Sequence, residues 1–161
     1  MPEAETLARL AEGGLVLEIG SHCGRSTVVM AHAARHLVSV DWHRGDKDTD
    51  SAKRGFTLPT LLENLQWCNV RDRVTVVVAR SQEACPVLRP AAFDLCFVDG
   101  GHSELQVDHD TRQALRLVRP GGLIAWHDWG QVHNAAERVL DSRTGERVAG
   151  TDLYLYCVKG D

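Results

Sequence analysis

The sequence has no long apolar run. None of its stretches approaches the roughly 18–20 consecutive apolar residues that cross a bilayer as a helix. Its first residues, Met1-Pro2-Glu3-Ala4-Glu5, are acidic where a secretory leader is basic and then apolar. A cytoplasmic protein with no membrane partner is the expectation. Lysine is scarce: of 18 basic residues only Lys47, Lys53 and Lys159 are lysines, and the arginines are scattered. With a net charge of −4 the chain lacks the basic footprint that nucleic-acid binding requires, so no nucleic-acid partner is expected. The cysteines at 23, 68, 85, 96 and 157 are odd in number and contain no Cys-x-x-Cys pair. That argues against a disulfide framework or a zinc knuckle and for reduced, buried thiols.

What is present is ordinary for a globular domain: 161 residues, 43% hydrophobic and 25% charged. The length predicts one domain over residues 1–161. Short apolar runs alternate with amphipathic stretches. Strands are predicted at 15–19, 37–41, 74–78, 93–98 and 123–126. Helices are predicted at 25–36, around Leu58–Leu65, at 81–88, from the Ser103-x-x-Gln106 capping box to about Val118, and over 132–140. Gly121-Gly122 is read as the stop of the fourth of these helices. Segments 146–149 and 153–158 read as a hairpin. Continuous apolar strands between helices predict an α/β fold: a doubly wound, mostly parallel, Rossmann-like sheet covered on both faces.

Ligands of such sheets bind beyond the carboxyl ends of the strands. Polar and acidic residues collect there: Glu18 and Gly20, Asp41, Ser81, Asp99 and His102, His127 and Asp128. The first group belongs to Glu18-Ile-Gly20-Ser21-His-Cys-Gly24-Arg-Ser-Thr27, a strand end, a glycine turn and a helix start, which offers free N–H groups to a ligand. Its spacing is not the Gly-x-Gly-x-x-Gly of dinucleotide sites, and the acid before the first glycine suits a cationic ligand better than pyrophosphate. Asp41 lies where an acid can accept bonds from ribose hydroxyls. Asp99-Gly-Gly-His102 can turn an acid and an imidazole into one cleft. Neutral imidazole can take a proton from a hydroxyl at neutral pH. His102 at a helix start is also compatible with plain packing. Asp99 and Asp128 offer two hard oxygens for Mg²⁺; His127 as a third ligand would widen the choice to Mn²⁺ and others. His127 and Asp128 can both ligate only if the chain has already left its strand. Trp126 and Trp129 flank this pair as core residues or as a substrate wall.

Taken together, the Glu-x-Gly…Gly-Arg-Ser-Thr turn, the acid ending the second strand, Val-Asp-Gly-Gly-His and Pro-Gly-Gly-Leu-Ile-Ala-Trp-His-Asp resemble a class I S-adenosylmethionine-dependent methyltransferase. The set is most similar to the small-molecule O-methyltransferases that include macrocin-type and cephalosporin-hydroxylase-like enzymes. The resemblance implies a terminal antiparallel strand inserted into the parallel sheet. It implies S-adenosylmethionine bound by Glu18, Gly20, Ser21, Gly24, Asp41, Ser81, Gln82 and Asp99, with Glu18, Gly20 and Ser21 at the methionine end and Ser81 and Gln82 at the adenine. It also implies a divalent metal on Asp99, His127 and Asp128, and catalysis by His102 as general base with Asp99, acting on a hydroxyl of a sugar, phenol or natural product. A metal-independent methyltransferase and a nucleotide-binding oxidoreductase are the alternatives, and a homo-oligomer is left open. The 15 residues from Trp42 to Phe56, opened by His43 and Arg44, carry seven charges and read as a lid, a substrate loop or a solvated loop.

Overall fold

The computed structural model describes residues 2–45, 55–140 and 145–159. Residues 46–54, most of the predicted long loop, lie outside them. Seven strands form one sheet: β1 (Leu15–Ile19), β2 (His36–Asp41), β3 (Val74–Val78), β4 (Phe93–Val98), β5 (Val118–Trp126), β6 (Gly145–Arg147) and β7 (Tyr154–Cys157). Their order is β3-β2-β1-β4-β5-β7-β6. The first five run parallel, and β7 enters antiparallel between β5 and β6. This matches the expected terminal antiparallel insertion. Four of the five residues of β1 and five of the six of β4 are buried, as parallel strands with both faces covered must be.

The helices are α1 (Pro2–Ala11), α2 (Arg25–Ala33), α3 (Leu58–Trp67), α4 (Ser81–Ala84), α5 (Glu104–Leu117) and α6 (Trp129–Ala136). One apolar cluster packs Leu7, Met30, Leu61 and Leu65 of α1–α3 against one face of the sheet. The other packs Ala84, Val107, Leu117 and Val132 of α4–α6 against the opposite face. From β1 the chain winds outward through β2 to β3, then returns to lay β4 on β1's other side. That reversal opens a crevice above the carboxyl ends of β1 and β4, where doubly wound sheets take their ligands. Among the described residues no helix is long and apolar enough to cross a membrane.

Three elements differ from the sequence reading. Helix α1 is additional; Glu3 and Glu5 in its first turn and Leu7 and Ala11 on its buried face are the local signals for it. Helix α5 ends at Leu117, and β5 begins at Val118. Gly121-Gly122 therefore does not cap the helix but lies in the irregular stretch where the β4–β5 register shifts. The last helix starts at Trp129 rather than Val132. Trp126 and Trp129 are core residues, 1% and 4% exposed. Trp129 stacks on Tyr154 at 3.7 Å and 4° and so ties α6 to the terminal strand, a contact worth about 0.5–1.5 kcal/mol beyond burial.

Gly122 is held by close approach: a Cβ there would stand 2.6 Å from Val118 Cγ1 and 2.8 Å from the Asp94 carbonyl oxygen. Gly122→Ala should lower the unfolding free energy by about 1–3 kcal/mol. Gly130→Ala, in open space on α6, should stay within about 0.5 kcal/mol of the parent. Urea denaturation of the two variants checks both values.

Candidate active site

The turn after β1 sets the site. Gly20 has φ +90°, and a Cβ on it would collide with the Asp99 carbonyl. Only glycine lets the β1 and β4 ends come this close. The Asp41 carboxylate then draws the neighbouring loops in. Its Oδ2 accepts bonds from the amides of Ser21 (2.9 Å) and His22 (2.7 Å), and its Oδ1 accepts one from the amide of His43 (2.6 Å). A carboxylate has about four acceptor positions, so one remains. His22 and His43 have positive φ, 49° and 58°, a conformation that costs roughly 1–2 kcal/mol. The two amide bonds to an ionised acceptor offset that cost.

A cleft of about 490 Å³ runs along these strand ends. Of the residues singled out from the sequence, Gly20, Asp41, Ser81, Gln82, Asp99, His102 and Asp128 line it. Ser21 and Gly24 do not. Ser21 is 3% exposed and contributes its amide to Asp41; Gly24 opens α2 against Leu61. Trp42, Arg80 and Asp110 also line the cleft and were not singled out. The Arg80 guanidinium lies 4.9 Å over the Trp42 ring, with Arg44 5.5 Å from it. His43 is 1% exposed, with Nδ1 2.9 Å from Thr57 Oγ1; burial lowers its pKa, against the pull of Asp41.

The β4 and β5 ends bring Asp99, His127 and Asp128 together, with one donor atom from each within 4.8 Å of the others. The chain has left β5 at Trp126, and Asp128 takes a left-handed conformation, φ 51°. That satisfies the condition for both neighbours to face one side. His127 Nδ1 stands 3.3 Å from Asp99 Oδ1 and 3.3 Å from Asp128 Oδ2. Neither approach is an aligned hydrogen bond: Nδ1 is buried without a partner among the described residues. Asp99 first, then Asp128 and Glu3, outweigh burial and push the imidazole pKa up to about 9. Glu3 reaches His127 Nε2 from α1 at 3.4 Å, a contact the sequence could not show because α1 itself was not foreseen. His102 Nε2 lies 3.3 Å from Asp128 Oδ2.

An imidazole facing two carboxylate oxygens is a mixed nitrogen–oxygen donor set that a divalent cation such as Mn²⁺ fits if it displaces the imidazolium proton. The fold and this cleft both point to one family. A family model described as a methyltransferase domain matches residues 17–129. The chain belongs to that family.

Its relatives agree. A candidate O-methyltransferase from Mycobacterium sp. (strain JLS) is 28% identical over 146 residues, 89% of this chain and 57% of the relative. The chain thus spans little more than half of that protein. The O-methyltransferase TomG from Streptomyces achromogenes, involved in tomaymycin synthesis and solved with S-adenosylmethionine, shares the fold. Its TM-score is 0.76, with 24% identity over 99% of this chain and 80% of its own. An O-methyltransferase from Bacillus cereus, solved with S-adenosylhomocysteine, superposes with a TM-score of 0.72 at 18% identity, covering 98% of this chain and 80% of its own.

Glu18, like Ser21, Gly24 and His127, stands outside the lining of the cleft. Glu18 is 0% exposed. Its oxygens accept bonds from Ser26 Oγ and Thr27 Oγ1, both 2.5 Å, at the start of α2. Burial outweighs these bonds and pushes its pKa to about 8. The folded chain therefore holds a proton here that the unfolded chain releases in the ordinary carboxyl range. Stability should fall as pH rises from that range through about 8. Glu18→Gln should remove this part of the pH dependence, so the variant's advantage over the parent in urea denaturation should be larger at pH 8 than at pH 5. An equal difference at both pH values would contradict the assignment.

Proposed function

We propose that this chain transfers a methyl group from S-adenosylmethionine to a hydroxyl of a small molecule, with a divalent cation held by Asp99, His127 and Asp128. The observation that carries this reading is that His102 and the three-donor cluster adjoin a cleft that Asp41, Ser81 and Gln82 also line. In this reading Asp41 uses its remaining acceptor position for a ribose hydroxyl, and Ser81 and Gln82 stand by the adenine. The turn at Gly20 borders the methionine end. Trp42 adds an apolar wall stiffened by Arg80.

The cofactor supplies an electrophilic methyl carbon on a sulfonium, and a bound cation lowers the pKa of the acceptor hydroxyl. The acceptor oxygen would form a bond to that carbon as the carbon–sulfur bond breaks, the sulfur keeping the bonding pair as a neutral thioether, and His102 would take the hydroxyl proton. His102 Nε2 stands 3.3 Å from Asp128 Oδ2, so the imidazole borders the three-donor cluster. The residues of the cleft do the rest by alignment.

Two measurements test the reading. His102→Ala should cut turnover roughly 10²–10⁴-fold while calorimetric affinity for S-adenosylhomocysteine stays within error; a variant as active as the parent would remove His102 from the chemistry. Asp99→Asn and Asp128→Asn should each abolish Mn²⁺ binding followed by electron paramagnetic resonance. Full activity of EDTA-treated protein would instead favour a metal-independent transfer.

A further inference from the structure

His127 has a neighbour that the cation site does not use. Glu3, in the first turn of α1, sets its Oε1 3.4 Å from His127 Nε2. The other ring nitrogen, Nδ1, stands 3.3 Å from both Asp99 Oδ1 and Asp128 Oδ2. The two nitrogens of an imidazole point away from one another, and each carries one proton or one lone pair. An oxygen that faces Nε2 therefore does not face a cation at Nδ1, and Glu3 is not one of the three donors that converge. Packing brings it there. Glu3, Leu7 and Ala11 follow one another at intervals of four residues and share one face of α1. Leu7 and Ala11 are buried in the cluster that holds Phe97 of β4 and Ala125 of β5. Glu3 thus stands one turn further on, toward the ends of those strands.

The rest of the surroundings hold His127 without choosing how its ring sits. Its amide donates to the Val98 carbonyl (3.0 Å), and its ring meets Phe97 edge to face, with centroids 6.4 Å apart. Rotation about the Cβ–Cγ bond of histidine is broad and roughly two-fold, so a half-turn would put a carbon where Nδ1 stands. Asp99 and Asp128 favour Nδ1 on their side, but acceptor oxygens favour it with a proton attached, which a cation cannot use. An acceptor at Nε2 supplies the missing preference. It keeps a hydrogen on Nε2 and lets Nδ1 present its lone pair. We propose that Glu3 is a positioning residue for the cation site: its carboxylate accepts the Nε2 hydrogen of His127 and so aims the Nδ1 lone pair between Asp99 and Asp128. This inference rests on the cation site proposed above and makes α1 part of it.

The test is Mn²⁺ binding to the full chain, followed by electron paramagnetic resonance at pH 7.5. Glu3→Ala should weaken binding roughly 10–100-fold. Glu3→Gln keeps a carbonyl acceptor for the Nε2 hydrogen and should stay within about threefold of the parent. Glu5→Gln removes the same charge from the same turn of α1 and should also stay within about threefold. That control separates a contact at Nε2 from the general field of the helix. Calorimetry with S-adenosylhomocysteine on the same samples, without metal, should give the parent's affinity in all three variants, and its stoichiometry reports the folded fraction to which the Mn²⁺ data are referred. Unchanged Mn²⁺ affinity in Glu3→Ala overturns the inference and leaves the cation site standing. So does a Glu3→Gln or a Glu5→Gln variant as weak as Glu3→Ala, since charge alone would then account for the loss. No saturable Mn²⁺ binding by the parent overturns both.

Discussion

The site depends on one carboxylate. Asp41 accepts three backbone amides, from Ser21, His22 and His43, and so joins the turn after β1 to the segment after β2. Two of those residues are held in left-handed conformations that non-glycine residues avoid. Without the carboxylate nothing would offset that backbone cost, and the cleft wall would relax. The glycine at position 20 is the complementary constraint. It lets β1 and β4 close up, so the Asp41 clamp and the Asp99 backbone border the same space.

Burial then gives chemically similar acids different duties. Glu18, sealed under the turn, is pushed to a pKa of about 8 and works as a hydrogen-bonded spacer for α2. Asp110, in the cleft wall, is raised to about 6 with one oxygen left over. Asp99 and Asp128 are partly exposed and crowd one imidazole, whose pKa climbs to about 9. Chemically similar carboxyls thus differ in their readiness to ionise according to solvent access and the charges nearby. The fold family accounts for the placing of these groups on strand ends, and the local environment for what each can do.

One side of the cleft combines aromatic and guanidinium groups. Trp42 lies between Arg44 and Arg80, and Phe56 sits 5.3 Å from the same Arg44. These aromatic–guanidinium contacts are worth about 0.5–1 kcal/mol each at exposed positions. They brace the rim where the chain leaves β2 and where it enters α4, next to the residues assigned to the base of the cofactor.

Much of this was legible in the sequence because it is local. Val74–Val78 and Phe93–Val98 are apolar runs whose length and neighbours define strands at once, and the bounds hold to the residue. The acids and histidines at strand ends followed from the same reading, and Asp99, His127 and Asp128 do converge. What local pattern could not supply was anything set by distant packing. The Gly121-Gly122 pair looks like a helix stop, but pairing with β4, through the crowded Asp94 carbonyl, makes it part of a strand. Helix α1, and with it Glu3 beside His127, exists because Leu7 and Ala11 find a face of the sheet to cover. Glu18 and Asp110 show the division most clearly. Sequence alone placed Glu18 at the end of the first strand and left Asp110 without a special mark. Only the tertiary structure decided that both are buried and that burial raises the pKa of each, to about 8 for Glu18 and about 6 for Asp110, because ionisation depends on the solvent and charges that folding brings around a group.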